Sequence, residues 1–403
     1  MINSFEFKNH KLLYGLVISA YILLITISTY IPDRYYYFFF GLVFFATLCF
    51  IIKSGVKIDL IPILLMVRSL AMIINGYVIG VPFMDVYQYE LVTFLSVSVY
   101  IFAVNFSSSD KKEIRCILTA ITLFIAFQLF ESILRNGFDK NSIGAVVGMS
   151  NYAAAFLLLG ITYLLFTKKD LFEKCVMVFA IIVFALVQSM GAIMAFVVII
   201  VIYAVKYFNW KKKSTYIFLF GGVALICAIV GVMLLTGIGS SITDKIAVKF
   251  SALFSGDLNT FGSSRISLYE FCWENIMQKP WFGNVLNTNS NYPIDYRWQA
   301  FRTHNFFFES MRLYGVFGTL INAIIVVVAI KRFGKSFKNN QFNYAFLMVI
   351  LAAVIHGLVE PTFFTMDFSC VIWLIVGAML SPQNKKLVYK DFKQYNPLFR
   401  SVF

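Results

Sequence analysis

The sequence predicts an all-α polytopic membrane protein with about twelve transmembrane helices and one large external loop. Hydrophobic residues make up 60% of the 403, only 13% are charged, and the mean hydropathy is +0.79. A soluble domain carries about 25% charged residues, so this chain cannot cover its apolar surface in water. Its apolar runs are continuous and have the length that a bilayer selects, about 20 residues per helix.

Twelve apolar spans can be placed along the chain. The first follows Lys8 and Lys11 and resembles a signal peptide, but it is too long for one and has no small-residue cleavage pattern, so we expect it to be retained. The predicted spans are residues 11–31, 35–52, 58–76, 91–106, 114–134, 143–166, 172–188, 191–208, 215–238, 305–330, 342–360 and 363–381.

Lysine and arginine alternate between poor and rich loops along this series. The rich loops contain Lys53, Lys57, Lys111, Lys112, Arg115, Lys168, Lys169, Lys174, Lys206, Lys211, Lys212, Lys213, Lys331, Arg332, Lys335 and Lys338. The positive-inside rule predicts that these loops and both termini are cytoplasmic. The chain then divides into helices 1–9 (residues 1–238), an external loop (239–304), helices 10–12 (305–381) and a basic cytoplasmic tail (382–403).

The net charge of +14 does not indicate a nucleic-acid partner, because the basic residues lie in short clusters that membrane topology explains. The sequence has no D-x-D pair, Walker motif, H-E-x-x-H or G-x-S-x-G, and only three histidines. We therefore predict no metal, no cofactor and no nucleic acid. Any phosphate group would be held by arginine side chains, whose guanidinium forks match phosphate oxygens.

The external loop contains a predicted amphipathic helix at residues 263–278, which ends before Pro280. A helix of this kind beside a bilayer is expected to lie in the interface. It would bring Arg265 to the level of the lipid headgroups, where Arg265 either contacts a headgroup or has a function. The residues predicted to share its apolar face are Ile266, Tyr269, Trp273, Ile276 and Met277.

Several ionisable residues lie in or beside the spans, where charge is costly in hydrocarbon. His304, at the end of the loop, is either a hydrogen-bonded interfacial residue or a general base, since the unperturbed pKa of histidine lies near neutrality. Glu309 and Arg312 are three residues apart on one helical face and form either an ion pair or part of a site. The other candidates are Arg68, Glu131, His356 and Glu360. Gly144 and Gly148 form a small-x-x-x-small pair that predicts helix packing.

Several motifs follow one another in a characteristic order: Arg265-x7-Trp273, then Pro280-Trp281-Phe282-Gly283, and then His304-Asn305-x3-Glu309-x5-Gly315-x2-Gly318. This order resembles that of the O-antigen ligase and polymerase superfamily, which includes WaaL-type ligases and Wzy-type repeat-unit polymerases. Two further segments are also similar, namely Gly148-Met149-Ser150-Asn151-Tyr152-Ala153 and Gln188-Ser189-Met190-Gly191-Ala192.

This resemblance implies a glycosyltransferase-C-like membrane enzyme that works without metal or nucleotide sugar. The donor would be a glycan on undecaprenyl pyrophosphate, and a chain-length regulator protein is an implied partner. Arg265 would contact the pyrophosphate, His304 would deprotonate or orient the acceptor, and Glu309 would orient His304 or the arginines. The further binding candidates are Arg68, Arg297, Arg302, Arg312, His356 and Glu360.

One position departs from the family pattern. Met190 stands where the family often has an arginine, and Arg68, Arg297, Arg302 or Arg312 could replace it. We expect a polymerase of O-antigen or capsule repeat units, with an O-antigen ligase as the alternative. A flippase for the same lipid-linked glycan ranks third, because the sequence has neither the repeated halves nor the broken helices typical of transporters.

Overall fold

The computed structural model describes residues 58–81, 83–106, 112–137, 143–145, 148–167, 169–187, 189–207, 265–283, 303–336 and 341–381, with a few positions between 248 and 257. These residues are predominantly helical. The helices are α1 (Leu60–Val78), α2 (Phe83–Phe106), α3 (Lys112–Asn136), α4 (Ser150–Phe166), α5 (Leu171–Val187), α6 (Met190–Tyr207), α7 (Arg265–Gln278), α8 (Phe306–Ser336), α9 (Gln341–Gly357) and α10 (Met366–Leu380). A 3₁₀ turn, Thr362–Phe364, precedes α10.

Helix α4 is the central helix of the bundle, and it is buried on nearly every side. It contacts α3, α5, α6 and α9, while α2 packs between α1 and α10. Gly160 allows the close approach of α3, because a Cβ at this position would overlap the Thr122 side chain. The apolar side chains of these helices form one continuous core.

The two ends of the bundle differ in charge. At the basic end, Arg332 pairs with Asp59, Arg115 pairs with Glu173, and the Lys206 ammonium lies over the Tyr344 ring. These cations come from three of the loops predicted to be cytoplasmic. Antiparallel packing carries the chain from here to the opposite end, where α4, α6 and α8 begin. Which end faces the cytoplasm stays a prediction.

Three of the described helices are long and apolar enough to cross a membrane: Leu60–Val78, Ile114–Asn136 and Phe306–Phe333. Five further apolar helical segments are shorter. This pattern fits the predicted membrane protein, but it does not confirm the count of twelve spans. The predicted spans at residues 11–31, 35–52 and 215–238 lie outside the described residues, as do most of the external loop and the tail.

The prediction that Gly144 and Gly148 pack helices together was wrong. Gly144–Ala145 (β1) and Gly148–Met149 (β2) form a two-stranded antiparallel hairpin in which Gly144 pairs with Met149. Helix α4 therefore begins at Ser150, and not at residue 143 as predicted. The hairpin leads the chain directly into the first turn of α4, which contributes to the candidate site.

Helix α8 is broken at Gly315, so the expectation of unbroken helices was also wrong. Gly315 has φ 63° and ψ −165°, a combination that essentially only glycine adopts. The first amides beyond the break, Val316 and Phe317, donate to the carbonyls of Pro280 (2.7 Å) and Trp281 (3.0 Å). Gly283 packs against the break so closely that a Cβ there would lie 2.5 Å from the Leu313 carbonyl oxygen.

We call this contact between residues 280–283 and the break at Gly315 the glycine joint. Asn75 of α1 reinforces it, since its amide donates to the carbonyls of Phe282 and Gly283, both at 3.1 Å. The joint gives hydrogen-bond partners to backbone groups that a helix start leaves unsatisfied. It also attaches the end of α7 to α8.

The predicted amphipathic helix is present as α7, but its faces differ from the prediction. Leu268, Cys272 and Ile276 are buried against the protein, whereas Trp273 and Met277 are exposed. Burial raises the pKa of the Cys272 thiol to about 12, so this thiol is protonated at neutral pH. The exposed Trp273 and Met277 fit a helix whose outer side meets the membrane interface.

The glycine joint predicts a sharp difference between two glycines that both have positive φ. Gly283→Ala would place a Cβ 2.5 Å from backbone atoms, whereas Gly137, also left-handed, has nothing within 4 Å of its Cβ position. Gly137→Ala should cost only the left-handed strain, about 1 kcal/mol. Gly283→Ala should lower the melting temperature in detergent well beyond that control, and equal shifts would contradict the joint.

Candidate active site

His304 lies immediately before α8, where the chain turns into the bundle. Its φ angle is 52°, and among the described residues no other non-glycine residue has a positive φ. Its side chain is 34% exposed. The next residue, Asn305, caps α8, because its Oδ1 accepts from the amides of Phe307 (2.8 Å) and Phe308 (3.2 Å). The imidazole is therefore accessible but is carried on a firmly anchored backbone.

Glu360 is the partner of this imidazole. The Nδ1 atom of His304 lies 2.9 Å from Oε2 of Glu360, whose side chain is only 4% exposed. The amide of Asn151, in the first turn of α4, donates to Oε1 of the same carboxylate at 2.9 Å. The start of α4 also places the positive end of its helix dipole beside the carboxylate. These contacts compensate a charge that would otherwise be costly to bury.

This arrangement defines what the imidazole can do. When Nδ1 carries a proton and donates it to Glu360, Nε2 is the acceptor nitrogen of the ring. An acceptor nitrogen on a partly exposed histidine can take a proton from a hydroxyl group. The buried carboxylate then stabilises the resulting imidazolium, as a carboxylate does beside a catalytic histidine in many hydrolases.

Helix α6 also begins at this place. A Cβ on Gly191 would lie 2.5 Å from Cγ2 of Val359 and 3.9 Å from Cδ2 of His356. His356 is completely buried one helical turn before Glu360. From the segment at 148–153, Asn151 thus contacts Glu360 itself, and from the segment at 188–192, Gly191 packs against the neighbouring residue Val359.

Helix α7 is attached to His304 through Tyr269. The Tyr269 ring stacks on Phe308 with centroids 4.9 Å apart and planes 14° apart, and its hydroxyl donates to the His304 carbonyl at 3.4 Å. Residue 265 begins α7 one helical turn before Tyr269, on the same face. The backbone of Arg265 is therefore brought towards His304, while its side chain lies outside the described part of the protein.

Glu309 faces Arg312 and not His304. Its carboxylate accepts from Arg312 Nη2 at 2.6 Å and from Arg312 Nε at 3.3 Å, and both side chains are almost fully buried. Oε2 of Glu309 also accepts from the Thr303 amide at 3.1 Å. Glu309 therefore holds the backbone just before His304, and it forms a buried ion pair with Arg312.

Arg68 is likewise occupied by protein groups. Its guanidinium donates to Asn322 and Thr93, both at 2.7 Å, and lies 4.3 Å from the centroid of the Tyr314 ring. Glu90, which the sequence analysis missed because it lies at the edge of a predicted span, is completely buried beside this cation. Both terminal nitrogens of the Arg68 guanidinium therefore have protein partners, and its role in binding a ligand stays a prediction.

The contacts described above do not involve the other residues that the sequence suggested for the site. Arg297 and Arg302 lie outside the described residues. Glu131 forms an exposed pair with Arg135 one turn later on α3 and does not approach the site. Among the described residues, no group of three histidine, cysteine, aspartate or glutamate side chains is arranged to hold a metal ion.

The geometry can now be compared with known proteins. Residues 175–323 match a family model described as O-antigen ligase. This match supports the resemblance to the O-antigen ligase and polymerase superfamily. Members of this family are membrane glycosyltransferase-like enzymes that act on lipid-linked glycans. The matched segment contains Arg265 and His304, whereas Asn151 and Glu360 lie outside it. A comparison with curated proteins found no match.

Sequence reasoning missed three residues of this site. Asn151 was quoted only as part of a motif, Tyr269 only as part of an apolar face, and Asn305 only as the neighbour of His304. Each acts through a contact with a residue far away in the chain or through a backbone group. One sequence signal could have identified Asn305, since an asparagine directly before a helix is typical of a helix cap.

The buried Glu309–Arg312 pair predicts opposite outcomes for single and double substitution. Arg312→Gln leaves a buried carboxylate uncompensated, which costs about 3–5 kcal/mol. Adding Glu309→Gln removes that charge and keeps an oxygen that can accept from Thr303. The single variant should lose thermal stability in detergent and the double variant should recover most of it. Equal melting temperatures would show that the pair is not buried as described.

Proposed function

We propose that this protein polymerises oligosaccharide repeat units that are linked to undecaprenyl pyrophosphate, at the outer face of a bacterial inner membrane. The observation that carries this proposal is the His304–Glu360 pair, which lies at the end of the bundle beside the helix that begins with Arg265. The product would be O-antigen or capsular polysaccharide. The match of residues 175–323 to the O-antigen ligase model, in a chain of apolar helices, supports this class of substrate.

The proposed reaction begins with proton transfer. Nε2 of His304 takes the proton of an acceptor hydroxyl, and the hydroxyl oxygen attacks the anomeric carbon of the donor glycan. The bond from that carbon to the pyrophosphate oxygen breaks, and undecaprenyl pyrophosphate leaves with both bonding electrons. Attack opposite the leaving group inverts the anomeric configuration. Glu360 stabilises the imidazolium that forms, and the proton then passes to solvent.

The leaving pyrophosphate gains negative charge, which fixed cations stabilise without a metal ion. Arg68 is held by Thr93, Asn322 and the Tyr314 ring, and Arg312 pairs with Glu309, so we assign this role to the loop arginines. These are Arg265, Arg297 and Arg302, all in the segment that joins α7 to His304 or at its start. In this assignment Glu309 is a positioning residue, because it acts on the backbone before His304.

A second candidate function is O-antigen ligation, in which the acceptor is lipid A-core or another acceptor molecule. The description of the matched family model favours it. The same proton transfer and the same leaving group would serve both reactions, since only the acceptor hydroxyl differs. The distinction therefore depends on cellular products.

Deletion of the gene in the host strain, followed by gel analysis of glycans, separates these functions. A single repeat unit left on the acceptor supports the polymerase, and unattached lipid-linked polymer supports the ligase. Repeat units trapped on the cytoplasmic side would indicate a flippase and would overturn both transferase proposals. The break in α8 makes this third outcome worth measuring, since broken helices are common in transporters.

Complementation of that deletion tests the residues. His304→Asn should abolish long chains while the protein level stays normal, because asparagine tolerates the left-handed backbone of this position but provides no general base. General-base removal typically costs about 10²–10⁴-fold in rate. Arg265→Gln should also abolish long chains. Arg135→Gln, an exposed arginine at the same end of the bundle, is the matched control and should leave chain length unchanged.

A further inference from the structure

Asn305 connects two helices through the two atoms of one side-chain amide. Its Oδ1 accepts from the first amides of α8, as described above. Its Nδ2 donates to the carbonyl of Leu358, in the turn that follows α9, at 3.1 Å. The carbonyls at the end of a helix have no partner within the helix, so this donor satisfies one of them. The start of α8 and the end of α9 are thereby tied together.

The position of this tie in the chain makes it relevant to the candidate site. His304 directly precedes Asn305, and Glu360 lies two residues after Leu358. The two halves of the His304–Glu360 pair are therefore each within two residues of the Asn305–Leu358 hydrogen bond. A change in the spacing of the two backbones at this bond would carry directly to the 2.9 Å contact between Nδ1 and Oε2.

The backbone of His304 also needs support from its surroundings. A left-handed conformation at a non-glycine residue costs about 1–3 kcal/mol and persists only where neighbouring contacts impose it. The Thr303 hydroxyl donates to the Asn305 carbonyl at 2.8 Å, and the Thr303 amide donates to Glu309. Asn305 anchors the other side of His304. The strained residue is thus held on both flanks.

We propose that Asn305 is a positioning residue that sets the geometry of the His304–Glu360 pair. Losing its amide donor would slow proton transfer from the acceptor while leaving donor binding intact. This inference rests on the proposed function for its kinetic consequence. Its structural part, that Asn305 holds His304 against Glu360, can be measured without any assay of glycosyl transfer.

Asn305→Asp is the informative variant. It keeps an oxygen that caps α8 and replaces the donor to Leu358 with an acceptor, so the tie breaks while the cap remains. In a transfer assay with purified protein and lipid-linked donor, kcat should fall about 100-fold, the typical cost of misplacing a catalytic group by about 1 Å. The KM for the donor should not change. Asn136→Asp, at an exposed asparagine of the same end, adds the same charge and should behave as wild type.

A double-mutant cycle with Glu360→Gln tests whether Asn305 acts through the pair. If it does, Asn305→Asp should cost little more once the carboxylate is already removed, because coupled residues are not additive. Losses in kcat that multiply in the double variant would overturn the proposal, as would a wild-type kcat for Asn305→Asp. Should Asn305→Asp fail to accumulate, Asn305→Ser keeps a capping oxygen without a donor that reaches Leu358.

Reaction of His304 with diethyl pyrocarbonate provides the readout that does not depend on activity. The reagent attacks the neutral imidazole, and peptide mass spectrometry of the full-length protein reports the rate at His304. Asn305→Asp and Glu360→Gln should both raise this rate, and Asn136→Asp should not. An unchanged rate in Asn305→Asp overturns the positioning role. If Asn305→Asp raises the modification rate but the wild-type protein transfers no glycan, the proposed function is overturned and the positioning role of Asn305 stands.

Discussion

The glycine joint, at which the carbonyls of Pro280 and Trp281 accept from the first two amides beyond the break at Gly315, is the contact on which the rest of the site depends. A helix that breaks near a bilayer must find partners for its exposed backbone groups, because hydrocarbon offers none. Residues 280–283 supply those partners and Asn75 secures them. The consequence is that α7 cannot move independently of α8. Since α7 begins at Arg265 and α8 follows His304, the joint links the two residues to which the proposed reaction assigns most of the chemistry.

Charge compensation inside the bundle explains which arginines remain for a substrate. Arg312 pairs with Glu309, and Arg68 lies among Thr93, Asn322 and the Tyr314 ring beside the buried Glu90. Separating Arg312 from Glu309 to meet a phosphate would leave a buried carboxylate uncompensated in a low-dielectric environment. The structural ion pairs and the proposed phosphate-binding arginines are thus different residues.

The candidate site has the features of a preorganised proton acceptor. Glu360 is buried and receives hydrogen bonds from α4 and from His304, and the dipole of α4 favours its charge. His304 is held in a left-handed conformation by contacts on both flanks. Strain of this kind is retained where the surrounding structure imposes it, and it is frequent at active sites. Rigid support of the imidazole is consistent with a reaction that depends on the position of one nitrogen.

Composition and charge spacing by themselves determined the membrane-protein class, the helices at α1, α3, α5, α6 and α9 to within a few residues, and the amphipathic helix α7. They also indicated His304 as a candidate, because an ionisable side chain at the end of an apolar span is costly beside hydrocarbon and therefore unusual. Only the tertiary structure decided that Glu360 is its partner and that Glu309 is not. Hydropathy indicates which segments form buried helices, but the pairing of two side chains depends on which helix ends lie next to each other. Residues 304 and 360 are far apart in the sequence and meet only through the packing of the helices. The hairpin at 144–149 and the break at Gly315 were missed for the same reason. A glycine in an apolar run can mark helix packing, a strand or a break, and its backbone contacts with distant segments choose among them.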